Sequence, residues 1–344
     1  MKIAVITGGL STERDVAISS GSRIADALRS KGHNVVLVDV FMGFDSNISP
    51  EKLFNDNADL IKNNGVAEFI PDLQAVRASR SDKSDCFLGK NVIKICREAD
   101  ITFFALHGGE GENGQLQAAF DILGLKYTGS GYLGAALAMD KGITKALCTL
   151  HRVTTPRGEI FNNPEDAAEW NTFPCVIKPC SGGSSVGIAK AENREELEDA
   201  VKDAFSYEKE IVIEEFIKGR EFSVGVLGDQ VLPPVEIIPT TGFYDYKAKY
   251  QAGLTIEECP AKITAQEDKT LRDAAYEAFK VLHLTSYARI DFILDKDGNA
   301  YCLEANTLPG MTPTSLLPQE AAAIGMDYPT LCEKIVELSL KKYN

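Results

Sequence analysis

Asp291, Glu304 and Asn306 are the residues whose types and spacing bear most directly on chemistry. They lie in "ARIDFILDKDGNAYCLEANTLPGMTPTSL", where two strand-like runs flank Asp297-Gly298. Asp-Gly favours a tight hairpin turn. If the runs pair through it, Asp291 and Glu304 face the same way, and strand alternation puts Asn306 on that face too. Two carboxylates and an amide oxygen make a hard-oxygen site suited to Mg²⁺, which keeps several waters and shares phosphate oxygens with a nucleotide. Asp and Glu are also common on the solvated face of a hairpin. Arg289 alternates onto the same face. A cation beside a metal makes sense where phosphoryl or oxyanion charge develops.

Other stretches offer weaker signals. In "KPCSGGSSVGIAK", Lys178 ends a strand and a Gly/Ser turn follows, rich in backbone N–H and hydroxyl donors. Such a turn can close over phosphates. It also fits a plain mobile hairpin, and it is not a P-loop because the lysine precedes the glycines. Lys141 and Lys145, at i and i+4, read by themselves as a solvated helix face. Glu214 and Glu221 read as exposed carboxylates near a strand. Glu13 follows the first strand, where open α/β sheets bind ligands, or else it serves the helix N-terminus. "YDYKAKY" packs aromatic and basic residues into a long loop of the kind that forms lids. Gly109, Gly111 and Gly114 spell G-x-G-x-x-G, a dinucleotide fingerprint. That fingerprint needs an acid ending the next strand, and "LKYTGSG" has none.

The elements that would position these residues are legible in outline. "KIAVITGG", a helix with Ile18, Ile24, Ala25 and Leu28 on one face, and "NVVLVDV" make a β-α-β start, which implies a parallel sheet. Residues 41–98 are polar and irregular, and 77–85 read as an exposed loop. An α+β block follows over 135–222. The remainder alternates short strands, a long loop, a helix and the Asp-Gly hairpin. The 344 residues carry 44% hydrophobic and 25% charged side chains, an ordinary globular balance. A net charge of −14 argues against broad binding to nucleic acid or anionic membranes. The eight Cys form no C-x-x-C pair and read as buried free thiols in a reducing cytosol. With no signal pattern and no spanning run, the chain reads as cytoplasmic.

Taken together, "GGLSTERDVAISSG", "HGGEGENGQLQ", "YTGSG", "MDKGITK", "KPCSGGSSVG", "FYDYKAKY", "ARIDF" and "EANTLPGMTPTSLLP" resemble, in order, the D-alanine–D-alanine ligases of the ATP-grasp superfamily. The likeness runs nearly end to end and is weakest over 41–98. It places the glycine match inside the family's HG-x-x-GE-x-G loop, where His107 and Glu112 are the informative residues. It implies a three-domain α/β architecture: an N-terminal open parallel sheet (1–134), a central ATP-grasp unit (135–222) and a C-terminal metal-binding unit (223–344), with ATP clamped between the last two.

The resemblance further implies joining of two D-alanines at the expense of ATP, through an acylphosphate and then a tetrahedral intermediate, for peptidoglycan precursor synthesis. Asp291, Glu304 and Asn306 would hold two Mg²⁺ or Mn²⁺ ions. Lys141 and Lys178 would neutralise phosphates, Glu221 would hold the ribose, Glu214 would meet the adenine, and Lys249 would reach the transferred phosphoryl group. Arg289 and the Gly310 N–H would form an oxyanion hole. Glu13 would bind the first D-alanine's ammonium, with His107 near its carboxylate. Ser315 and the Leu316 backbone would bind the second carboxylate. Tyr250, Ser184 and Glu13 would bridge the loop over the site. Family members are commonly homodimers. Two positions depart from common relatives: Ser181-Gly182, where many carry a charge, and Glu215, often lysine. A ligase for another dipeptide or depsipeptide is the nearest alternative. A nicotinamide dehydrogenase would leave Asp291, Glu304 and Asn306 unexplained, and a non-catalytic nucleotide-binding subunit would have no need of the full set.

Overall fold

The structure is a computed structural model that describes the chain apart from residues 46, 63, 64, 66–70, 182–186 and 240–254. Three sheets organise the described residues. The first is parallel and built from β1 (Lys2–Thr7), β2 (Asn34–Asp39) and β3 (Ile101–Phe104), in the order β2-β1-β3. Its strands are continuous apolar runs because helices cover both faces. The chain leaves β1 towards β2 on one side and later reaches β3 on the other. The loops after β1 and β3 therefore diverge and leave a crevice at the carboxyl ends of the strands. The Arg14–Ser30 helix buries Ile18, Ile24, Ala25 and Leu28, the face its periodicity predicts.

Two expectations for this region need correction. The 77–85 stretch is not all exposed loop: 77–79 close the Leu73–Ser79 helix, Ser84 is half-buried, and the guanidinium of Arg80 is buried and donates to the Leu88 carbonyl at 3.1 Å. "LKYTGSG" forms no extended strand; it contributes one parallel bridge, Tyr127 to Thr102.

The second sheet is antiparallel, β4 (Gly158–Phe161), β5 (Cys175–Pro179), β6 (Ala189–Ala191) and β7 (Ile211–Glu215), in the order β4-β7-β5-β6. The Arg194–Tyr207 helix covers it with Leu197, Ala200, Val201 and Ala204. Asn193 caps that helix by accepting the Glu196 N–H at 3.1 Å.

The third sheet holds β8 (Gly219–Leu227), β9 (Gln230–Val231), β10 (Val235–Pro239), β11 (Thr255–Glu258), β12 (Tyr287–Asp295) and β13 (Ala300–Asn306). Its order is β11-β10-β8-β12-β13, with β9 paired to β8. The Ala265–Val281 helix, opened by a Thr264/Glu267 capping box, packs Leu271, Ala275 and Phe279 on Phe222, Ile290 and Phe292. The closing Tyr328–Leu340 helix returns to the first sheet, where Leu331, Ile335 and Val336 join the core of β1 and β3.

The β12–β13 hairpin differs from a simple Asp-Gly turn. The Asp295 N–H bonds to Asn299 O at 3.0 Å, so the loop spans 296–298, with Gly298 at φ +82°. That loop pairs Leu294 with Ala300 and Phe292 with Cys302. Continued unchanged, the register would set Asp291 opposite Leu303. A β-bulge between Asp291 and Phe292 absorbs one residue and sets Asp291 opposite Glu304 and Arg289 opposite Asn306. A slip of one residue would have turned Glu304 to the other face.

Candidate functional site

A cavity of about 650 Å³ lies where the crevice of the first sheet meets the β12–β13 hairpin. Glu13, His107 and Glu112 line it from the loops after β1 and β3. Lys141, Arg289, Asp291, Glu304 and Asn306 line it from across, and Gly310, Ser315 and Leu316 close one end. A second cavity of about 360 Å³ runs between the second and third sheets, past Lys178, Glu214, Glu221, Ile237 and Leu303. Asp291, Glu304 and Ile237 line both. The two spaces thus meet at the carboxylate pair.

Asp291 is heavily bonded there. It accepts Arg289 Nε at 3.0 Å and Nη2 at 2.8 Å, Ser223 Oγ at 2.9 Å and Asn306 Nδ2 at 3.2 Å. These four donors match the lone-pair sites of one carboxylate. Glu304, its cross-strand partner, lies 3.7 Å from Lys141 Nζ. The face that alternation predicts for Arg289, Asp291, Glu304 and Asn306 is therefore real.

The lysines are not on a solvated face. Lys141 and Lys145 side chains are exposed by only 10% and 11%. Both lie in the Lys141–Leu150 helix, capped by Asp140, whose carboxylate accepts the Ile143 N–H at 2.9 Å. Lys145 reaches Glu214 at 2.7 Å and donates to Thr155 Oγ1 at 3.0 Å. Lys178 binds the other Glu214 oxygen. Glu214 is 4% exposed, so the exposed-carboxylate reading also fails. Burial pushes its carboxyl up, but Lys178 and Lys145 outweigh that and hold it below the ordinary carboxylate value. Burial likewise works against the Lys178 charge, and Glu214 outweighs it, raising the ammonium's pKa.

The opposite wall is tied together by His107 and Glu112. His107 Nδ1 lies 2.8 Å from the Leu308 carbonyl, which can only accept, so Nδ1 carries a proton. Its Nε2 lies 3.4 Å from Ser20 Oγ. Glu112 accepts the Gly108 N–H at 2.9 Å and the Leu308 N–H at 3.1 Å, joining the loop after β3 to the loop after β13. Burial raises its carboxyl above the ordinary range, and the Glu13 charge adds to this. Glu13 occupies the N-cap position of its helix but makes no side-chain cap. Ser315 precedes the Leu316–Ala323 helix and likewise does not cap it. Its Oγ accepts the Thr312 N–H at 3.1 Å, and a Cβ on Gly310 would lie 2.9 Å from it. Helix N–H groups there point at the cavity end, a setting for a carboxylate.

Ser184, Lys249 and Tyr250 lie outside the described residues. Ser223 and Glu320 give no sequence signal, since what they touch is far away along the chain, and Lys145 reads only as part of a solvated helix face. Glu112 did stand out in its motif but had no role assigned.

Comparison with known proteins agrees with this layout. Residues 2–130 match the family described as D-ala D-ala ligase N-terminus, and 144–337 match D-ala D-ala ligase C-terminus. A D-alanine–D-alanine ligase of Lacticaseibacillus casei is 43% identical, covering 100% of this chain and 97% of that protein. One from Pediococcus pentosaceus is 41% identical, covering 100% and 99%. Among solved structures, the D-alanine–D-alanine ligase of Bacillus anthracis complexed with ATP superposes with TM-score 0.74 at 28% identity, covering 99% of this chain and 98% of that one. The VanG D-Ala:D-Ser ligase of Enterococcus faecalis gives TM-score 0.77 at 28% identity, covering 98% and 99%. The architecture, a parallel-sheet unit with two antiparallel sheets flanking a nucleotide-sized cavity, is that of the ATP-grasp fold. The chain belongs to the D-ala D-ala ligase family. The nicotinamide reading of the glycine match is thereby discarded.

The Glu214 pair has a pH signature. A carboxyl held below its ordinary value of 4.5 contributes stability that is present above that pH and is lost as pH falls through the lowered value. Glu214→Gln leaves two buried lysines uncompensated and is expected to lower unfolding free energy by about 3–5 kcal/mol at pH 7. The gap from wild type should narrow as urea titrations are taken into acid below pH 4.5. A gap independent of pH would contradict the ion-pair account.

Proposed function

We propose that this chain joins two D-alanines to D-alanyl-D-alanine while cleaving ATP to ADP and phosphate, as a step in making peptidoglycan precursors. The observation that carries the reading is the meeting of two cavities at Asp291 and Glu304 with Arg289 beside them. A nucleotide in the second cavity would present its terminal phosphate at that meeting point, and amino acids in the first would lie against it. ATP is the nucleotide named for the Bacillus anthracis relative.

Each residue then has a task. Glu221 and Glu214 line the nucleotide cavity as ribose and adenine contacts, and Glu214 also anchors Lys178. Lys178 and Lys141 offset phosphate charge. Glu13 and His107 hold the first D-alanine, whose carboxylate attacks the terminal phosphorus. The second D-alanine's carboxylate sits on Ser315 and the Leu316 N–H, which aims its amine at the acylphosphate carbonyl. Arg289 and the Gly310 N–H stabilise the oxygen that gains charge in the tetrahedral intermediate. Lys249, and a bridge from Tyr250 through Ser184 to Glu13, complete the reading as a cover that keeps water out.

Asp291, Glu304 and Asn306 fit Mg²⁺ or Mn²⁺ by donor chemistry: two carboxylates and an amide, all hard oxygen once the Asn306 amide turns its oxygen inward. Two such ions would supply charge neutralisation to the phosphate oxygens. We further infer a division into units 1–134, 135–222 and 223–344, a cytoplasmic setting and a homodimer. No helix among the described residues is long and apolar enough to cross a membrane.

The test is phosphate release from ATP and Mg²⁺ with D-alanine, L-alanine, D-serine and D-lactate in parallel, with products weighed by mass spectrometry. Release with D-alanine and formation of its dipeptide is the expected result. Turnover confined to another acid would replace the substrate assignment, D-serine being the substrate named for the Enterococcus relative. Tyr250→Phe is expected to raise KM for D-alanine by weakening closure; wild-type kinetics in that variant would remove the bridge from the account.

A further inference from the structure

Glu320 lies in the Leu316–Ala323 helix and is fully buried, at 0% exposure. Neither carboxyl oxygen has a hydrogen-bond partner of ordinary geometry among the described residues, although the Gly225 N–H is near enough to favour its charged form slightly. Burying a carboxyl without such bonds is costly, so a site that needed packing alone would be better served by leucine. Its surroundings point to what it contacts. A Cβ on Gly225 of β8 would lie 2.1 Å from Glu320 Oε2 and 2.5 Å from Leu317 Cδ1. The helix therefore rests directly on the β8 backbone at Gly225. Gly225 is the register partner of Arg289 on β12. One turn before Glu320, on the same helix face, Leu316 is buried against Val235 and Ile237.

The acceptor carboxylate's seat and the oxyanion-hole arginine thus share one reference point. The helix N-terminus, with Ser315 and the Leu316 N–H, is set by the contact at Gly225. Arg289 is set by the strand pair at Gly225. We propose that Glu320 is a positioning residue for the acceptor subsite: its carboxyl, wedged on Gly225, sets the height of the helix N-terminus relative to Arg289. The inference deepens the ligase reading and rests on it.

The carboxyl acts by its shape and reach. Burial pushes it well above the ordinary carboxylate range, against the pull of Arg289, so the neutral form is the one the site favours. Glutamine has the same shape and reach as that neutral acid. Alanine leaves the seat empty. A methyl on Gly225 competes for the same space; removing the carboxyl relieves its shortest contact, while Leu317 Cδ1 at 2.5 Å must still turn aside.

The experiment is steady-state kinetics on the full chain for wild type, Glu320→Gln, Glu320→Ala, Gly225→Ala and the double variant Gly225→Ala/Glu320→Ala, with amide hydrogen exchange at Gln319, whose N–H bonds to Ser315 O at 3.2 Å in the first turn of the helix. Glu320→Ala is expected to raise KM for the second D-alanine about tenfold with kcat and KM for ATP nearly unchanged, the pattern of lost binding at one subsite. Glu320→Gln should stay within about twofold of wild type. Gly225→Ala should copy the Glu320→Ala defect, and the double variant should be less impaired than the two single defects combined, with Leu317 Cδ1 still against the methyl, a coupling that independent sites do not show. Exchange at Gln319 should rise in each single variant and fall back part of the way in the double. Glu320→Asp, which keeps the carboxyl but draws it back, replaces Glu320→Ala if that variant does not fold, with the same expected split. Equal rises in both KM values, a double variant as poor as the two singles combined, or unchanged exchange would each overturn the proposal. If wild type forms no dipeptide, the ligase reading fails, while the exchange data still decide whether Glu320 seats the helix.

Discussion

Everything at the site depends on one cross-strand pairing, Asp291 opposite Glu304. The hairpin loop alone would have set Leu303 there and sent Glu304 to the opposite face. The bulge beside Phe292 corrects this and gathers Arg289, Asp291, Glu304 and Asn306 on the side facing both cavities. Phe292 and Ile290 point the other way, into the core under the Ala265–Val281 helix. The alternation that makes the sheet stable is thus the alternation that presents the chemistry.

Charge around that pairing is arranged before any ligand arrives. The chain as a whole carries −14, yet Lys141, Lys178 and Arg289 line the two cavities, with Lys145 behind them on Glu214. Each is held by a carboxylate: Glu304, Glu214 or Asp291. Buried ion pairs of this kind recover little net stability. Their value here is fixed direction, since a preorganised cation need not reorganise when phosphoryl or oxyanion charge forms. An acidic exterior with local cations inside also favours a small anionic ligand over a polyanion.

Much of this was legible in the sequence, for reasons that can be traced. Period-two alternation placed Arg289, Asp291, Glu304 and Asn306 on one face, and apolar runs marked the parallel sheet. Asp297-Gly298 marked the turn but not its length, because loop length and bulge compensate each other only in the folded hairpin. Lys141, Lys145 and Glu214 looked like surface charges, since their burial comes from packing between units distant in the chain. Glu112 binds the Leu308 N–H, 196 residues away, a tie that no local pattern contains. Glu320 sits in a short helix whose sequence shows nothing unusual; only the absence of a side chain at Gly225 explains where its carboxyl goes. The tasks of Glu13, His107 and Ser315 came from the resemblance to the ligase family, and the cavity brings all three to its wall.

The most direct test of the central claim is a crystal structure of the chain with ATP and Mn²⁺, read through anomalous scattering at the manganese edge. The account predicts manganese peaks within about 2.0–2.4 Å of oxygens from Asp291, Glu304 and Asn306, between them and the ATP phosphates. It also predicts that at least one of the four donors now on Asp291 has let go. Manganese bound elsewhere, with those four hydrogen bonds intact and ATP in place, would contradict it.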